Sequence, residues 1–226
     1  MTDYTTRPFT REKFTDLQSL VTDSALARWP EIPYFLNSDV VWQLPGSNAK
    51  DNIRLWYDEH GIAAYAWFTP NSPMTFDLRS DIDFAHPLCD DLIFWCEARA
   101  RSMPGREPWL IDLESMAQWE DALTNNLAAR PSEHRYLQVF AMDKDLERGE
   151  FLERHGFHAT QHFEWKLARS LDVDIPPASL PPGMKLRHVT PQDFEERVAV
   201  HRDAWFKSGF TLERYLAVRD IDGYTP

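Results

Sequence analysis

A short amphipathic stretch, Phe151-Leu152-Glu153-Arg154-His155, breaks at Gly156 and is followed at once by Phe157. Glycine at such a point lets a helix end through a left-handed residue, and the phenylalanine behind it is placed to fold back on the last turn. Tyr136 to Phe140 before this stretch and His162 to Leu167 after it are rich in strand-forming residues. The order is therefore strand, helix, Gly-Phe, strand, which restricts the chain to a mixed α/β architecture.

The middle of the chain extends that reading. Asn52 to Tyr57 and Ile62 to Phe68 flank Asp58-Glu59-His60-Gly61, a loop closing on glycine that predicts an antiparallel hairpin. Met74, Phe76 and Leu78 alternate with Thr75, Asp77 and Arg79 and predict a third strand. Pro87 then opens a helix whose Leu88, Leu92, Trp95 and Cys96 share a face, ending before Pro104-Gly105. Residues 107–132 hold a further helical pattern that reads as an insertion.

Four prolines between Val173 and Gly183 fix φ and remove amide donors, so this segment predicts a linker. Beyond it, Met184 to Thr190 has strand character, Thr190 and Pro191 form a capped helix start, and Phe194, Val198, His201 and Trp205 recur at helical spacing. The same phrase opens the chain. Arg7, Thr10, Phe14 and Asp23 return as Arg187, Thr190, Phe194 and Asp203, each 180 residues later. The expected organisation is a domain over 1–172, a linker over 173–183, and the start of a second copy over 184–226, an incomplete one on this reading.

These features resemble the GCN5-related N-acetyltransferase (GNAT) family, with the likeness covering about residues 4–170 and then beginning again. The resemblance implies a mixed, mostly antiparallel central sheet flanked by helices, splayed between its fourth and fifth strands. It further implies acetyl-CoA as cofactor and acetyl transfer to a small-molecule amine. Strand amides would hold the pantetheine arm and a glycine-rich turn into the third helix would cradle the diphosphate. The family-equivalent cofactor positions are Phe76, Leu78, Arg79 and Ser80. Here the turn from Arg79 to His86 contains no glycine and carries Asp81 and Asp83, whose charge opposes a diphosphate. Leu152 stands where the family commonly has a proton-donating tyrosine, and Asp145 where its helix commonly begins with asparagine. No catalytic residue is assigned. The expectation is a degenerate first copy, with catalysis belonging to the second.

A non-catalytic binding or dimerisation module on the same scaffold remains the alternative, because Val198, Trp205 and Phe206 in the C-terminal arm call for a cover, by their own domain or by a second chain. Calorimetry with acetyl-CoA separates the two.

Charge and composition exclude other classes. A net charge of −12 repels nucleic-acid backbones and anionic lipid, and no run reaches the roughly 18–20 apolar residues of a membrane span. Absence of a signal-peptide pattern gives the cytoplasm as the expected location. Cys89 and Cys96 lie ~10 Å apart on one predicted helix and read as buried thiols. His155, His158 and His162 predict hydrogen-bonded or surface imidazoles, since 158 and 162 would sit about 13 Å apart along a strand, and no metal site is expected. Asp90 and Asp91 read as a solvated acidic helix start, and the tryptophans as core.

Overall fold

The computed structural model describes residues 4–28, 34–44, 49–68, 73–103, 137–159, 172, 179–205 and 208–220. The expected strand at His162 to Leu167, the 107–132 insertion and most of the first half of the linker lie outside them. The chain divides into two compact units, Met1–His162 and Phe163–Pro226.

In the first unit a four-stranded antiparallel sheet runs in the order β1 (Thr5–Pro8), β2 (Ile53–Asp58), β3 (Gly61–Trp67), β4 (Thr75–Leu78). This is the mixed, largely antiparallel architecture expected. The β2–β3 hairpin is tighter than its predicted four-residue loop. Asp58 pairs with Gly61, leaving Glu59 and His60 as the turn, and Gly61 takes φ +116, a conformation open mainly to glycine.

Helices cover both faces. On one face α1 (Phe14–Ala27) packs against β3 and β4, and Phe35, just ahead of α2 (Asn37–Gln43), brings its ring to Tyr65 and Trp67. A short turn, α3 (Ala49–Asn52), leads into β2. On the other face the small side chains of Ala64 and Ala66 admit α4 (Pro87–Arg101), which buries Leu88, Leu92, Ile93 and Cys96. Each large side chain so buried contributes about 1.5–3 kcal/mol. The predicted third strand forms as β4, and both of its faces are covered. Asp77 is buried because α1 covers its side, and it is paired there.

The Gly-Phe unit forms as read. Helix α5 (Leu146–Arg154) ends at Gly156 with φ +77, and the Phe157 amide returns to the Leu152 carbonyl at 3.1 Å. Asp90 and Asp91 are not merely solvated: Asp91 accepts the Trp56 indole N–H at 2.8 Å, and Asp90 pairs with His155 Nε2 at 3.0 Å. Both cysteines are free and buried, the Cys89 thiol being pushed up to about 12 by burial. Trp56 and Trp67 are core residues, whereas Trp205 is 68% exposed.

In the second unit, α6 (Phe194–Ala204) and α7 (Leu212–Arg219) enclose Val198, Phe210 and Tyr215. The predicted strand at Met184 to Thr190 is a correction: these residues form no strand and are exposed, Leu186 by 83%. A lone strand leaves its amides unpaired, so strand-like composition without a neighbour gives no strand. The helix start does repeat. Extended Thr10 precedes the 3-10 turn Arg11–Lys13 and α1 begins at Phe14; extended Thr190 precedes Pro191–Asp193 and α6 begins at Phe194.

No helix among the described residues is long and apolar enough to cross a membrane, and no group of three or more potential metal ligands occurs among them.

Candidate functional site

The register of β3 and β4 sets the site. Arg79 N–H reaches Ala63 O at 2.8 Å and Asp77 stands opposite Tyr65, so the peptide groups of alternate residues Met74 and Phe76 point away from β3. Met74 uses that edge once, its amide reaching Gln138 O at 2.7 Å in an isolated parallel bridge with Val139. Among the described residues the pairing goes no further. At the next rung the Phe76 carbonyl accepts from the two terminal nitrogens of Arg148, at 3.3 and 3.4 Å.

Arg148 comes from the first turn of α5 and is 1% exposed. Its guanidinium carbon lies 3.8 Å from the Phe76 ring centre and 3.9 Å from that of Tyr34. Burial pulls its pKa down while the nearby Asp77, Tyr34 and Asp145 favour the cation. Its Nε and the buried Tyr65 hydroxyl have no hydrogen-bond partner among the described residues. The Tyr34 hydroxyl donates to Asp145 at 2.9 Å and accepts the Met142 amide at 2.8 Å, and burial pushes its pKa up to about 12. Asp145, predicted as a departure from asparagine, caps α5 by accepting the Arg148 amide at 3.2 Å.

Beside this lies a cleft of about 350 Å³, lined by Ser24 and Ala27 of α1 and Arg28 just after it, by the turn after β4, and by Met142, Lys144, Asp145 and Glu147. Of the four predicted cofactor positions, Leu78, Arg79 and Ser80 line this cleft. Phe76 lies beneath, its carbonyl held by Arg148.

The turn is closed by its own groups. Arg79 forks onto Asp58 and Asp81, and the Arg79 hydrogen bonds hold the Asp58 carboxyl at about 2. Asp81, expected to repel a diphosphate, is thereby paired. The Ile82 amide reaches Arg79 O, the Ala85 amide goes to the Asp83 carboxylate at 2.9 Å, and the His86 amide to Asp83 O. His86 Nδ1 accepts from Leu88 N–H at the head of α4. An internal carboxylate and an internal imidazole thus take amides that an anion at this helix start would need. Across the cleft, Arg28 is bidentate to Asp77, which also accepts from Ser24.

Acetyl-CoA is the cofactor that the family resemblance implies; at the positions it would use, the Phe76 carbonyl accepts from Arg148 and the Ala85 and His86 amides are bonded to Asp83. Leu152, at the family's proton-donor position, is buried and has no proton to give. Tyr34, Arg28, Asp77 and Arg148 were not singled out in the sequence. A buried arginine within a helix start looks like any surface arginine until the opposing rings are located.

The chain is similar to the crystal structure of a GCN5-related N-acetyltransferase from Sphaerobacter thermophilus, at 16% identity and a TM-score of 0.48. That likeness covers 96% of this chain and 62% of the other, so the chain spans less than two thirds of that protein's length. No family model and no curated protein matches.

Proposed function

We propose that the chain is the first part of a tandem GNAT-like acetyltransferase in which Met1–His162 is a structural copy that does not take the acyl donor. The observation that carries this reading is the turn between β4 and α4. Its Ala85, His86 and Leu88 amides are bonded to Asp83 and His86, and Arg79 ties it to Asp58 and Asp81. A diphosphate would have to displace these partners and stand near the Asp83 carboxylate. The repeated Thr, 3-10 turn and helix start at residues 190–194 support a second copy beyond the linker, where acetyl-CoA and an amine would meet. The whole protein's reaction is then transfer of an acetyl group from acetyl-CoA to an amine.

Acetyl-CoA titrated calorimetrically into the chain should give no micromolar isotherm, and no thiol should be released with amine acceptors. Saturable binding at one site per chain overturns the structural assignment of the first unit.

One observation favours a second reading, an assembly module. Met184, Leu186, Val200 and Trp205 are all more than half exposed, a set of apolar side chains that a second copy of the chain would cover. Sedimentation at increasing concentration decides it. A dimer lost on Leu186→Lys and Trp205→Ser supports assembly, and a monomer throughout rejects it.

A further inference from the structure

The edge of β4 poses a problem of physical chemistry. A sheet edge buried against α5 must satisfy its outward peptide groups, and after Met74 no strand among the described residues does so. Arginine is suited to fill such a gap, since its planar cation stacks on rings with both faces while its in-plane N–H groups reach a carbonyl. Arg148 does all of this, with Phe76 and Tyr34 each under 4 Å from its carbon and its terminal nitrogens donating to Phe76 O at 3.3 and 3.4 Å. Tyr34 is itself held by Asp145 and Met142. The walls therefore have supports of their own and do not depend on the arginine side chain.

We propose that Tyr34, Phe76 and the Phe76 carbonyl form a binding site for a planar guanidinium cation, and that Arg148 is its resident, internal ligand. The site bridges the split edge of the sheet with no second molecule. Any ligand with a free guanidinium is its chemical class, once the tether is removed. This inference goes beyond the functional reading and does not rest on the diphosphate turn, so acetyl-CoA binding and guanidinium binding succeed or fail separately.

Chemical rescue of Arg148→Ala in the full chain is the test. Truncation should lower Tm by roughly 5–10 °C, as a vacated buried site of this size does. Methylguanidinium at low millimolar concentration should then raise the Tm of the variant saturably, while the same ion only lowers that of the intact chain. Urea, equally planar but uncharged, should give no recovery. An unchanged Tm in Arg148→Ala, or a loss that methylguanidinium does not reverse, overturns the proposal. If Arg148→Ala does not fold, Arg148→Met fills the gap without charge. In that background Tyr34→Leu should cost less than half the Tm loss it causes in the intact chain, and equal losses contradict the assembled site.

Discussion

Asp77 shows how one side chain ties the site together. It is 3% exposed, lies on β4, and holds Arg28, at the end of α1, through both carboxylate oxygens. Removing one member of a buried pair leaves the other without compensation, so Asp77→Ala should cost about 3 kcal/mol. A thermal melt should show a Tm loss of roughly 6–12 °C, and a loss below about 2 °C contradicts the pairing. Asp58 makes a pH-dependent contribution. Its folded pKa of about 2 lies below the unfolded value near 3.9, so its stabilisation is present above about pH 4 and disappears as pH falls towards 2. The Tm difference between the intact chain and Asp58→Asn should accordingly shrink across that interval; a constant difference contradicts the assignment. Alternation along Met74 to Arg79 marks the strand but not these partners. Asp77 alternates with the apolar residues of the strand, and it is α1 that makes its side interior.

Among the elements, the Gly-Phe end of α5 is the one most fully written in local sequence. Gly156 takes φ +77 with open space where a Cβ would lie, so Gly156→Ala should cost about 1 kcal/mol, a Tm loss of 2–4 °C, through conformation alone. No loss would mean that the helix ends by another route. The β2–β3 hairpin, β4 and α4 were legible for the same reason: each rests on periodicity and on a breaker within a few residues. What failed was non-local. Met184 to Thr190 has the composition of a strand, yet pairing needs a neighbour that local composition cannot supply. The amides of Lys185 to Val189 should exchange with solvent at near the unfolded rate, whereas those of β2 and β3 should be strongly protected. Protection of residues 185–189 in the isolated chain at low concentration contradicts this description.

For the molecule as a whole, the first unit holds an antiparallel sheet with helices on both faces and, among the described residues, an isolated parallel bridge at Val139. Arg148, Asp83 and His86 bond internally to strand and turn groups on the side where the proposed reading would otherwise seat a donor. The missing glycine in the turn was visible in sequence. The positive means of closure was not, because Tyr34 and Arg148 are 114 positions apart and meet only in the folded chain. The most direct test is amide NMR of the chain titrated with coenzyme A, followed at Ser80 to Leu88 and at the Arg148 side-chain N–H. The account predicts that these signals stay in place. Saturable shifts of the Ala85 and His86 amides, with loss of the Arg148 signal, would contradict it.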